Sequence, residues 1–129
     1  MESLQVTRTS TPKQITPNSE LVFGKCMTDH MLLLEWTASE GWIHPRIIPY
    51  QNLSLDPANS TLQWGIQAFE GMKAFRDKRG TLRLFRPEKN MERMNKSTDR
   101  IAMLPNVDTS LVVELLKKFV GLEERFIPS

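Results

Sequence analysis

The sequence predicts an α+β domain, with an antiparallel sheet flanked by helices. Three observations carry that reading. A short apolar run, Met31-Leu32-Leu33-Leu34, has strand length rather than helix length. Two further strand-like runs flank Asp77-Lys78-Arg79-Gly80, a four-residue hairpin loop ending in glycine. After the hairpin come two apolar-periodic segments, each opened by a helix-start residue, Pro87 and Asp108. Strands followed by a hairpin set between helices is the element order of an α+β fold.

Taken in order, the first twenty residues are rich in Ser, Thr and Pro. They read as a flexible arm over residues 1–20, with the domain proper over 21–129. Residues 31–36 read as a buried strand. Trp42 to Tyr50 contains Pro45 and Pro49, which demotes it to an edge strand. Asp56-Pro57-Ala58-Asn59-Ser60 is a turn that can start a helix. Leu62, Ile66 and Phe69 then recur at helical spacing, with Gly71 placed to end that helix. Met91, Met94, Thr98 and Ile101 mark one face of the helix that Pro87 begins, and Pro105 is expected to stop it. Leu111, Val112, Leu115, Leu116, Phe119 and Leu122 form the stripe of the last helix, which Gly121 weakens.

Composition narrows the function. The chain has 129 residues, a size suited to one domain, and a formal net charge of +2. No basic stripe alternates with aromatics, which argues against nucleic-acid binding. No apolar run approaches the roughly 20 residues of a membrane span, which argues against a membrane protein. Cys26 is the single cysteine, so no internal disulfide forms, as suits a reducing compartment. Glu2 and Glu20 argue against a transit peptide and so for a cytoplasmic location, with a mitochondrial one as the alternative.

Several chemistries fall away. His30 and His44 have no second ligand at metal spacing, so no metal site is expected. A triad of Ser60, His30 and Asp29 lacks a nucleophile elbow around the serine. Lys73 sits on a hairpin strand, where a lysine is solvated and lacks the desolvating pocket of a Schiff-base lysine. Arg93 is the strongest candidate. At 100° per residue it lies roughly 120° from the centre of its helix's apolar face, free to meet a ligand. Its planar fork of donors matches phosphate oxygens. The plainer alternative is a solvated arginine paired with Glu92 or Asp99.

Phe69-Glu70-Gly71-Met72-Lys73-Ala74-Phe75, Leu84-Phe85-Arg86-Pro87 and Met91-Glu92-Arg93-Met94 occur in that order, after Phe23-Gly24-Lys25-Cys26-Met27-Thr28-Asp29-His30-Met31. Together these blocks resemble the N-terminal part of branched-chain amino acid aminotransferases, which are fold-type IV enzymes using pyridoxal 5'-phosphate (PLP). The resemblance implies the small domain of such an enzyme, and it implies that Arg93 contacts the cofactor phosphate. It implies that Met27, Trp64 and Phe69 line the slot for the substrate side chain. The family's usual residues at the first two are Phe and Tyr, so Met27 and Trp64 change the shape of the slot and keep it apolar.

The activity implied is transamination of leucine, isoleucine or valine with 2-oxoglutarate, giving branched 2-oxo acids and glutamate, in an enzyme that is a homodimer when complete. The family's PLP-binding lysine belongs to a second, larger domain that this chain lacks, so no catalytic residue is assigned and the chain alone is expected to be inactive. Two alternatives stand beside this reading. One is a non-catalytic truncated subunit that docks on full-length enzyme; the other is a related fold-type IV PLP enzyme.

Overall fold

The computed structural model describes residues 4–103 and 105–128. In chain order the elements are β1 (Gln5–Val6), β2 (His30–Leu33), β3 (Trp36–Thr37), β4 (Gly41–Trp42), β5 (Arg46–Pro49), α1 (Ser60–Trp64), β6 (Ala74–Arg76), β7 (Leu82–Leu84), α2 (Pro87–Arg100) and α3 (Thr109–Leu122), with 3-10 turns at Asn18–Glu20 and Glu124–Phe126. The expected α+β class holds, as three small sheets and a packed pair of helices. β1-β5-β2 form one sheet, and β3-β4 and β6-β7 form two-stranded ribbons. The β2/β5, β3/β4 and β6/β7 pairs are antiparallel, whereas β1 runs parallel to β5.

β5 is the centre of its sheet, not an edge. Pro45 precedes the strand and Pro49 is its last residue, so the residues between them keep their donors for the ladder. The Pro45 carbonyl accepts from the Gln5 amide at 3.0 Å, and the Ile47 carbonyl accepts from the Thr7 amide at 2.9 Å. Ile47 faces Val6 on one side and Leu32 on the other, and is 1% exposed. The apolar run expected as a single strand over 31–36 is split. β2 ends at Leu33, and Trp36 crosses to a separate ribbon opposite Trp42.

The hairpin forms where its loop chemistry requires. Asp77 Oδ1 accepts from the amides of Arg79 and Thr81, both at 2.9 Å, and Gly80 takes a left-handed φ of 82°. Pro87 opens α2 at its first turn, and Asp108 caps α3 by accepting from the Leu111 amide at 2.9 Å. α2 stops at Arg100, before Pro105 is reached. Ala102 adopts the left-handed conformation, and the Met103 amide returns to the Thr98 carbonyl at 2.9 Å. The following loop is stitched to α2 by Asn95, which donates to the Val107 carbonyl and accepts from its amide. α3 packs on both α2 and β2. Val113, which lies outside the expected stripe, is buried on α3 together with Leu115; both are 3% exposed.

The helix expected to run toward Gly71 ends at Trp64 instead. Gly65 takes φ 65°, ψ 23°, and its amide closes on the Thr61 carbonyl at 3.0 Å, a left-handed C-terminal cap. Leu62, Ile66 and Phe69 are all exposed, so no packed face rewards a longer helix.

The N-terminal arm is tied down in ways that composition does not suggest. Beyond the β1 pairing, the Thr9 amide donates to His30 Nε2 at 2.9 Å, and the Lys13 amide donates to Asp29 Oδ1 at 2.9 Å. Met1 to Ser3 lie outside the described residues. Asp29 and His30 are buried against Glu123, at the end of α3. Glu123 accepts the Asp29 amide at 2.8 Å and lies 2.5 Å from His30 Nδ1. An amide can only donate, so His30 Nε2 offers its lone pair to Thr9 and Nδ1 carries the proton shared with Glu123. Arg125 adds its guanidinium to Asp29 Oδ2 at 2.5 Å. Among the described residues no buried side-chain polar atom lacks a partner.

Two predictions follow from these local arrangements. Asp108→Ala should cost about 1 kcal/mol of stability by removing the cap. Gly121→Ala should add up to about 1 kcal/mol, because a Cβ there meets nothing within 4 Å. Urea unfolding of both variants measures each shift. The second prediction concerns acid. The Lys13 amide, and then Arg125, hold the Asp29 carboxyl below its ordinary value against the opposing effect of burial. The unfolded chain therefore takes up this proton first as pH falls. The contribution of Asp29 is complete above the ordinary carboxylate range and is lost as pH drops through the lowered value. Asp29→Asn should flatten the acid limb of stability against pH; an unchanged acid limb would show that Asp29 plays no part in it.

Candidate phosphate and substrate site

Arg93 stands on the exposed flank of α2, its side chain 62% exposed, as the helical wheel predicts. Its partner is neither Glu92 nor Asp99. Glu92 binds Lys89, and Asp99 accepts from Asn106. Arg93 instead forks onto Glu70, donating from Nε to Oε2 at 2.8 Å and from Nη2 to Oε1. The Glu70 side chain is only 6% exposed. Asn90, one turn back on α2, donates to Glu70 Oε1 at 2.8 Å and to the Gly71 carbonyl at 2.7 Å. The Phe69-Glu70-Gly71 segment is thereby tied to α2.

The charges in this cluster reinforce one another. The Arg93 hydrogen bond, followed by that of Asn90, holds the Glu70 carboxyl below its ordinary value, and burial opposes them. Glu70 in turn raises Arg93, which stays a cation. Among the described residues none accepts a bond from Arg93 Nη1. That end of the fork is open to a ligand.

Arg93 borders a groove of about 690 Å³. Lys73, Arg86, Lys89 and Lys96 share its lining, with Phe75 and Phe85 as apolar walls. Arg86 takes a left-handed φ of 51° just before Pro87, at the junction of hairpin and helix. Five cations line this groove against Glu92, which pairs with Lys89, and Glu70, which pairs with Arg93, so its charge is net positive and suits an anion. A phosphate fits this donor set. Lys73 is exposed on this groove, one residue before β6 and not within the strand where the sequence put it.

The other expected site residues fall in different places. Phe69 lines a neighbouring groove of about 550 Å³ with Arg93, Lys96 and Arg100. It lies on a loop and is 87% exposed, not on a helix shared with Trp64. Trp64 ends α1, is 75% exposed, and lines none of the grooves described. Met27 lines a third groove, of about 690 Å³, beside Lys13, Tyr50 and Arg125. Arg93 and Phe69 are therefore brought together, and Met27 and Trp64 face other spaces. Glu70, which binds Arg93, and Asn90, which binds Glu70, are members of this cluster that sequence reasoning missed. Asn90 and Arg93 are three residues apart on one helix, a spacing that signals a shared face.

His30 is held between Thr9 and Glu123, as described above, and among the described residues no group of three or more His, Cys, Asp or Glu could hold a metal ion. No helix among the described residues is long and apolar enough to cross a membrane.

Comparison with known proteins agrees with the motif order. The mitochondrial branched-chain-amino-acid aminotransferase of Saccharomyces cerevisiae is 45% identical over 125 residues, covering 97% of this chain and 32% of its own length. Branched-chain-amino-acid aminotransferase 2 of Bacillus subtilis is 44% identical over 128 residues, covering 99% of this chain and 35% of its own. The cytosolic branched-chain-amino-acid aminotransferase of Ovis aries is 46% identical over 127 residues, covering 98% and 33%. No family model matches the chain. The chain spans about a third of the length of these curated relatives. Similarity to branched-chain-amino-acid aminotransferases thus runs through nearly all of the residues of this chain.

Proposed function

We propose that this chain is the small domain, residues 21–129 with the arm 1–20, of a PLP-dependent branched-chain-amino-acid transaminase. Its substrates are leucine, isoleucine and valine with 2-oxoglutarate, and the complete enzyme is a homodimer. The observation that carries this reading is Arg93, fixed by Glu70 at the rim of a groove lined by four further cations.

Bound PLP supplies the electron sink that lets an amino group pass between an amino acid and a 2-oxo acid. The part of this chain is to hold and to exclude. Arg93 grips the phosphate with the end of its fork that Glu70 leaves open. Glu70 and Asn90 keep that guanidinium in one orientation, so little rotamer freedom is lost when the anion arrives. Lys73, Arg86, Lys89 and Lys96 add attraction without directional bonds. Phe69, beside Arg93, gives the branched side chain an apolar surface; Met27 and Trp64, which face other spaces in this chain, join that surface only once a further domain or subunit closes over them. Their exposure, with that of Phe23 at 103% and Phe85 at 70%, supports a larger domain or a second subunit closing over them.

Two outcomes are expected. In the natural-length polypeptide carrying this chain, Arg93→Ala should weaken PLP retention by on the order of tenfold or more, since charged hydrogen bonds contribute roughly 1.5–3 kcal/mol each. Arg93→Lys should fall between the two, and Arg93→Ala should also lower the unfolding midpoint, because it leaves the buried Glu70 carboxylate without its cation. PLP dissociation followed by absorbance checks this; retention equal to the parent refutes the phosphate assignment. The 129-residue chain by itself should bind a hydrophobic dye strongly or self-associate. A dye-silent monomer would count against the missing cover.

A further inference from the structure

The segment from residue 22 to residue 28, which carries Met27, has neither helix nor strand, and the Lys25 amide to the Val22 carbonyl at 3.1 Å is its own backbone bond. Thr28 Oγ1 donates to the His30 carbonyl at 2.7 Å, and the other bonds that hold the segment come from the arm. Lys13 Nζ donates to the Thr28 carbonyl at 2.7 Å and to the Met27 carbonyl at 3.3 Å. The same ammonium stands over the Tyr50 ring, 4.7 Å from its centroid. Lys13 is itself fixed at both backbone ends. Its amide is on Asp29 Oδ1 and its carbonyl accepts from Arg125 Nη2, both at 2.9 Å. Beside it, Cys26 Sγ meets Thr16 Oγ1 of the arm at 3.6 Å. Amide, carbonyl and ammonium of one residue thus join the arm, the start of β2, the Met27 loop and the turn after α3.

We propose that Lys13 is a positioning residue: it fixes the Met27 loop from outside, and thereby sets the shape of the substrate slot that Met27 helps to line. The second half of that statement rests on the transaminase reading; the first half stands without it. The ammonium orients two consecutive carbonyls, so the peptide between residues 27 and 28 cannot rotate freely. Rotation there would swing the Met27 side chain, which is 40% exposed and has no strand to hold it. A flexible methionine makes a defined wall only if its backbone is held.

The lone cysteine provides the probe. Cys26 is exposed and precedes Met27, so its reaction with a disulfide thiol reagent reports on this loop directly. In the natural-length polypeptide, Lys13→Met keeps the stem and deletes the ammonium. It should speed the Cys26 reaction by about threefold or more relative to any other cysteine present. Lys13→Arg, which can donate to both carbonyls, should restore the parental rate. In the same variants the ratio of kcat/KM for leucine over valine should change in Lys13→Met, chiefly through KM, and return in Lys13→Arg. An unchanged Cys26 rate with an unchanged unfolding midpoint overturns the anchor, whatever the enzyme does. A faster Cys26 reaction with an unaltered leucine-to-valine ratio overturns the role in shaping the slot. If the polypeptide transaminates neither amino acid, the transaminase reading fails, and the Cys26 rates still decide whether Lys13 holds the loop.

Discussion

The fold hangs on a carboxylate, Glu123, buried at the end of α3 against the first residues of β2. Its two oxygens take the Asp29 amide and the proton on His30 Nδ1. Those partners lie more than ninety residues away in sequence. A charged group 4% exposed is costly unless it is fully bonded, and an incomplete version of this cluster would be worse than none. The geometry completes it. Thr9 satisfies the far nitrogen of His30, Lys13 and Arg125 satisfy Asp29, and the arm is drawn in as a consequence. Such a network contributes less to net stability than to choosing one arrangement of arm, sheet and helix over its competitors.

That choice reaches the candidate site through α3. Seated on β2 by Glu123, α3 gives α2 a surface on which Met91 is buried and Arg93 is turned outward. Glu70 then faces Arg93, and Asn90 fixes both. The two pairs differ in kind. Glu123 and His30 are both buried and serve the fold. Glu70 is buried while Arg93 is open on one side, an arrangement that holds a cation ready for a ligand. The cost of keeping Glu70 ionised is met by Arg93 and Asn90, and in the proposed phosphate role the same bonds would orient the guanidinium before the anion arrives.

What the sequence disclosed follows the range of the interactions. The hairpin, the start of α2 and the start of α3 were legible because Asp77, Gly80, Pro87 and Asp108 act within a few residues of themselves. The outward aspect of Arg93 was legible from helical periodicity alone. The central place of β5 was not, because prolines before and at the end of a strand look the same as prolines in its middle until its neighbours are known. The early end of α1 was half legible. Gly65 and Gly71 could each stop a helix, and the choice depends on whether Ile66 and Phe69 have a surface to cover. The anchored arm and the Glu70–Arg93 pair were hidden, since each joins segments that only the tertiary fold brings together. Burial of Val113 was hidden for the same reason, as α3 packs on two elements and a single stripe describes one.

The tautomer of His30 tests this account most directly, because the donor pattern around Glu123 leaves only one arrangement that satisfies Thr9. Nitrogen-15 NMR of the imidazole distinguishes a protonated ring nitrogen from a bonded lone pair. The account predicts a proton on Nδ1, shared with Glu123, and a hydrogen-bonded lone pair on Nε2, with a through-bond coupling from the Thr9 amide. A proton on Nε2, or a ring with no coupling to Thr9, would mean that the arm is not held as described and that the hub does not organise the fold.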